Sequence, residues 1–352
     1  MIYKLPSAKN FEHNIGGKNT HLITLQNRSG MQVAFTDYGA RIVSILVPDN
    51  TGELRDVVLG FDSIQGYLEA DEKYHGTTVG RFANRIANGA FTIDDQQFTL
   101  EKNNGNNSLH GGPNGFHNQI WDRQVSFKKK VDFYYTSADG EEGFPGNLKV
   151  YVSYELTEEN EIIITYKAET DRKTVINLTN HSYFNLNGEG NDDILNHILE
   201  IPSSQYVAID ENQIPLTQLA EVADTAFDFR SPKAIGKDIN NTDKQLEYGN
   251  GYDHSYVLDG EIKRRAAKAF SPKSGIVLEV FTSEPGIQLY TGNFLSGKDI
   301  GKTGRNYAKN SAFCLETQHY PDSPNRTDFP SVNLDVGEVF TSTTIYKFSI
   351  QK

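Results

Sequence analysis

Period-two alternation is the feature that most narrows what this chain can become. From Phe340 to Ile350, Phe340, Tyr346, Phe348 and Ile350 fall on one parity, and Thr341, Thr343, Lys347 and Ser349 fall on the other. A strand with one buried face reads this way, because successive side chains point to opposite sides of the sheet. Similar β-branched and aromatic stretches recur at MQVAFTDYGARIVSILV, LKVYVSYELT, EIIITYKAET and SGIVLEVFTS, separated by clusters rich in Asn, Gly, Asp and Pro. The expected fold class is all-β. Only the region around DSIQGYLEADE has helical character, and it is too short to supply the crossovers that a parallel α/β sheet requires.

The chain has 352 residues with no low-complexity linker, fixed-period repeat or charge run to divide it. A single large sandwich domain spanning residues 1–352 is the simplest organisation. Thirty-four Lys and Arg against 46 Asp and Glu leave a net charge of −12, which repels phosphate backbones and anionic lipid. Nucleic acid is therefore not an expected partner. No apolar run approaches the ~20 residues of a membrane span, and the first residues, MIYKLPSAKNFEHN, lack the basic start and apolar stretch of a secretory signal. Neither a membrane role nor export is expected. A lone Cys314 excludes an internal disulfide and a cysteine-rich zinc site, which suits the cytoplasm.

Polar residues gather beside the strand patterns in GRFANRIANGAF (80–91), NNSLHGG (106–112), NLTNHSYFNL (177–186), GYDHSYVL (251–258) and LETQHYPDSPN (315–325). Each admits an ordinary structural role. The glycines around His110 suit a tight turn, and Asp253 suits a turn cap after GNGY. Arg81 and Arg85, four apart, suit surface cations. His181 and Tyr183 share a parity and so can project from one strand face, where a hydrogen-bonded core histidine would look the same. Glu316 follows the apolar run Ala312 to Leu315 and should lie at a buried strand end, where an unpaired carboxylate is costly. The histidines are too scattered for a helical zinc motif. Neither a GxSxG elbow nor a GxxxxGK phosphate loop is present.

Taken in order, GRFANRIANGAF, NNSLHGG, NLTNHSYFNL, EPGIQLYTGNF and LETQHYPDSPN resemble the motifs of the aldose 1-epimerases, the galactose mutarotases, and the likeness runs from TDYGARIVSILVPD to the C-terminal strand. The resemblance implies a large antiparallel β-sandwich whose open cleft binds a monosaccharide without a cofactor or metal. It implies Glu316 as general base and His181 as general acid. Arg81, His110 and Asp253 are implied as residues that hydrogen-bond the sugar. An aromatic should cover the sugar's apolar face, and Phe294 in TGNF is the candidate.

Anomer interconversion explains why these residue types are wanted. A proton leaves the anomeric hydroxyl while the ring oxygen gains one, the ring opens to an aldehyde, and reclosure on the other face reverses both transfers. A carboxylate and a histidinium side by side can do this without redox chemistry. Two other functions share the same residues at this point. A carbohydrate-binding module needs aromatics and amides but no matched acid and base. A zinc-dependent or two-carboxylate hydrolase could be built around Asp253 and Glu316.

Overall fold

The computed structural model describes residues 3–126, 129–259 and 264–351. The alternating stretches form the strands of an extensively antiparallel structure. Leu148–Leu156 and Glu161–Thr170 pair along their length, and their even-numbered residues turn inward together. The strand Phe340–Ile350 lies between Glu161–Thr170 and Ile276–Thr282, with Ser342, Thr344, Tyr346 and Phe348 buried. Its parity is the expected one, but Ile350 lies exposed at the strand end.

These strands belong to a nine-stranded sheet that runs, edge to edge, through Asp122–Ser126, Lys130–Ser137, Leu148–Leu156, Glu161–Thr170, Phe340–Ile350, Ile276–Thr282, Arg264–Phe270, Ile198–Glu200 and Lys233–Ala234. A four-stranded sheet holds Leu22–Gln26, Gln32–Thr36, Arg41–Pro48 and Leu54–Asp56. A five-stranded sheet runs Pro215–Glu221, Gln205–Ile209, Asp253–Val257, Gly286–Tyr290 and Cys314–Gln318.

The inner faces of all three sheets meet in one apolar cluster. Phe35 and Ile45 come from the four-stranded sheet, Val152, Tyr166 and Phe348 from the nine-stranded sheet, and Ile287, Leu289 and Leu315 from the five-stranded sheet. Each such side chain contributes about 1.5–3 kcal/mol on burial.

Among the described residues, two short α-helices accompany the sheets. Ile64–Glu69 is the expected one, capped by Ser63, whose hydroxyl accepts the Gly66 N–H. Lys244–Gly249 was not expected, since six residues leave too little sequence for a helical period to register. It starts at Asp243, whose carboxylate accepts the Gln245 N–H. Among the described residues no helix is long and apolar enough to cross a membrane.

Candidate active site

Strand parity builds one wall of the site. In the five-stranded sheet, Asp253 lies opposite Tyr290, Gln288 opposite Glu316, and Tyr290 opposite Cys314. The alternate residues His254, Tyr256, Ile287, Leu289 and Leu315 enter the core. Apolar residues thus pull one face of each strand inward, and the polar ones are left facing a cleft of about 280 Å³. That is close to the lower end of small-ligand pockets, ~300–1,000 Å³.

The other wall comes from loops. His110 sits in the HGG turn with φ of 53°, and Gly111 follows at φ of 81°. A Cβ on Gly111 would lie 2.0 Å from the Gly80 carbonyl oxygen, so only glycine lets this turn close on the segment beneath it. His110 Nδ1 then accepts the backbone N–H of Asn84 at 3.1 Å. This leaves Nε2 to carry the ring proton. Burial and the neighbouring His181 and Arg85 hold His110 well below the usual histidine range, so the ring stays neutral.

Glu316 and His181 are both buried, with Oε1 3.5 Å from Nε2. The second carboxyl oxygen of Glu316 is buried without a hydrogen-bond partner among the described residues. Burial, reinforced by the charge of Asp253, pushes the Glu316 carboxyl well above its ordinary range, and Arg85 only partly offsets this. Burial pushes His181 down to about 3. The ring of His181 stacks on Tyr183 at 4.8 Å and on Tyr74 at 5.8 Å between centroids, and its Nδ1 lies 3.5 Å from Cys314 Sγ. Burial thus disfavours the charged form of each group, and a proton shared by the pair can pass between Oε1 and Nε2 across this contact.

Asp253 accepts Gln288 Nε2 at 2.7 Å on Oδ1 and Gln213 Nε2 at 3.4 Å on Oδ2. Its Oδ2 also lies 3.8 Å from Arg85 Nη2. Arg85 donates further to Asn104 Oδ1 at 3.1 Å and to Gln213 Oε1. Phe294 stands at the rim, 54 % exposed, with its ring nearly parallel to Tyr290.

The fold thus brings Glu316, His181, His110, Asp253 and Phe294 to one cleft. Arg81 is not brought there, and its expected place on a sugar is corrected. Its guanidinium is buried on another side of the segment. It donates to the carbonyls of Pro145 and Gly146 at 2.7 and 3.0 Å and to Ser137 Oγ at 2.6 Å, and lies over the Phe144 ring. Arg85 takes the cleft position instead. Gln213, Asn104, Glu72, Tyr74 and Tyr290 also line the cleft without having been expected, and Gln288 supports it through its hydrogen bond to Asp253. For Gln288 and Tyr290 a signal existed, since both sit on one parity of EPGIQLYTGNF.

His110, His181 and Glu316 place ligand atoms within 4.8 Å of one another, as a metal site would. The donor set does not fit one. With Nδ1 of His110 occupied by the Asn84 N–H, Nε2 bears hydrogen and has no lone pair for a metal, whereas a ligating histidine donates through its other nitrogen. What the group can do is exchange protons: a buried carboxyl and imidazole in near contact can take a proton from one oxygen of a small ligand and give one to another.

The family model for aldose 1-epimerase matches residues 21–347. The galactose mutarotase of Bos taurus is 45% identical over 321 residues, covering 91% of this chain and 92% of that protein. The aldose 1-epimerase of Escherichia coli K12 is 40% identical, covering 94% and 96%. Among solved structures, an aldose epimerase homologue from C. elegans superposes with a TM-score of 0.87 at 33% identity, covering 95% of this chain and 100% of that one. A galactose 1-epimerase from Lactobacillus acidophilus gives 0.86 at 31%, covering 97% of each.

Proposed function

Because this chain belongs to the aldose 1-epimerase family, we propose that its conversion of α and β aldose anomers runs on the Glu316–His181 pair. The protein is an isomerase of carbohydrate metabolism whose substrate is a sugar. The observation that carries the assignment of roles is the 3.5 Å approach of Glu316 Oε1 to His181 Nε2 within a buried cleft, beside a carboxyl oxygen left without a partner among the described residues.

In the reacting form the proton shared across the 3.5 Å contact sits on His181 Nε2, so Glu316 removes the proton of the anomeric hydroxyl as His181 protonates the ring oxygen and the ring opens. Rotation about the adjacent carbon–carbon bond turns the aldehyde, and closure returns both protons. One proton enters the pair and one leaves it at ring opening and again at closure, so the cleft ends in the charge state in which it began. The His110 Nε2–H donates to a sugar oxygen, and the carboxylate of Asp253 accepts from a hydroxyl. Arg85 is held where it can add a donor to the same ring of hydroxyls. Phe294 covers the sugar's apolar face.

Among the described residues lining the cleft, Arg85 is the one guanidinium or ammonium, set against Glu72, Asp253 and Glu316. That balance favours uncharged aldohexoses, galactose and glucose among them, over sugar phosphates. A cytoplasmic location belongs to the same proposal, resting on the lone cysteine. Polarimetry of freshly dissolved α-galactose and α-glucose, with and without protein, tests it. Catalysed approach to the equilibrium rotation is expected. An unchanged rate with both sugars would refute the proposal, and binding without acceleration would return the chain to the class of sugar-binding modules.

A further inference from the structure

Three carboxyl groups line the cleft, and the chemistry above uses two of them. Glu72 is the third. It follows the helix Ile64–Glu69 in a segment anchored by Asp299, whose carboxylate accepts the N–H groups of Asp71 and Glu72 at 2.7 and 3.0 Å. Asp299 in turn lies 3.7 Å from the buried His75. The Glu72 carboxyl accepts the backbone N–H of Tyr74 at 2.9 Å, and it shares the cleft lining with Tyr183, whose hydroxyl pKa its charge helps to raise. These are the two tyrosines whose rings stack on His181, at interplanar angles of 22° and 25°.

We propose that Glu72 is a positioning residue for His181, acting through Tyr74 and Tyr183. The proposal rests on His181 being the acid of the reaction. A buried imidazole that must carry a proton during turnover gains from π-faces held against it, because aromatic rings attract a cation placed over them. A carboxyl bonded to the Tyr74 backbone and beside Tyr183 in the cleft wall holds those faces and with them the direction of Nε2 toward Glu316. Its charge also acts on the Tyr183 hydroxyl. Small displacements at such a site are costly, since misplacement by about 1 Å lowers a rate by ~10²-fold.

The test is steady-state mutarotation kinetics of Glu72→Ala, Glu72→Gln, Tyr183→Phe and the Glu72→Ala/Tyr183→Phe double variant, with thermal melts and with His181→Asn in parallel. Glu72→Ala should lower kcat by about 10–100-fold with KM held within about twofold. Glu72→Gln keeps an acceptor oxygen and should recover most of that loss. Tyr183→Phe keeps the ring but breaks the link, and the double variant should be little worse than the poorer single one. A raised KM at unchanged kcat would make Glu72 a direct sugar contact and overturn the proposal, as would additive losses. If Glu72→Ala does not fold, an unimpaired kcat in Tyr183→Phe overturns it. Should His181→Asn retain turnover, the assignment of the acid fails. Should His181→Asn collapse while Glu72→Ala keeps wild-type kinetics, only the role of Glu72 fails.

Discussion

Replacing Arg81 and Arg85 separately by alanine should divide stability from catalysis. Arg81 is 2 % exposed, and its guanidinium reaches the carbonyls of Pro145, Gly146, Ser137 and Ala138 and the hydroxyls of Ser137 and Thr174. Truncation strands several buried acceptors and opens a cavity over Phe144. Breaking a buried charged group of this kind costs roughly 3–5 kcal/mol. For 352 residues the entropy of unfolding is about 0.74 kcal/mol/K. The melting temperature should therefore fall by roughly 4–7 °C. Because no atom of Arg81 faces the cleft, KM and kcat measured well below the transition should stay within about twofold of wild type. Arg85→Ala removes a charged donor from the cleft and the counter-charge of Asp253, so kcat/KM should fall about 10–100-fold, equivalent to ~1.5–3 kcal/mol. Scanning calorimetry with polarimetric kinetics reads both. If Arg81→Ala lost more than tenfold in kcat/KM at an unchanged melting temperature, Arg81 would be a sugar contact and its placement here would be wrong.

Glu316→Gln and His181→Asn should each cost ~10²–10⁴-fold in turnover while titration calorimetry still detects sugar, and the double variant should lose far less than the product. The pH profile of kcat/KM should be bell-shaped with its limbs set by the pair: His181, lowered to about 3, takes up a second proton only in strong acid, whereas Glu316, raised, gives up the single proton on the alkaline side. An acid limb near the ordinary carboxylate range would contradict this order. Dialysis against EDTA and phenanthroline should leave activity intact, and loss restored by zinc would contradict the tautomer assigned to His110. Gly111→Ala forces a Cβ onto the Gly80 carbonyl and should cost both stability, by ~1–3 kcal/mol, and turnover, whereas wild-type behaviour would mean the HGG turn does not position His110.

Where function rides on strand parity, it was legible in the sequence. Glu316, at the end of an apolar run, is buried as its position suggested, and His181 and Tyr183 do share a face. Period two also marks Gln288, which the same alternation would have revealed. Parity does not extend into the turns. Arg81 and Arg85 sit four apart in one polar motif, and only the packing of that motif against Pro145 and Gly146 on one side and Gln213 on the other decides which guanidinium meets the cleft. Glu72 and Tyr74 lie in a segment without periodicity and reach the site through the long-range hold of Asp299, 227 residues from Glu72 along the chain. The order of strands across the three sheets follows from contacts of that range as well, which no local pattern encodes.

Asp253, Gln288 and Glu316 occupy neighbouring strands in fixed register, opposite the core-facing Ile287, Leu289 and Leu315. Inserting or deleting one residue in any of these strands exchanges the two sets, sending carboxyls into the core and leucines into the cleft. Loss of the chemistry and loss of the fold are then a single event. Heritable change in this enzyme is accordingly channelled: the chemical step is locked to the scaffold, while the rim around Phe294 and Leu109 is free to drift. New sugar preferences should arise by remodelling those loops, with the proton-transfer pair passed on unchanged.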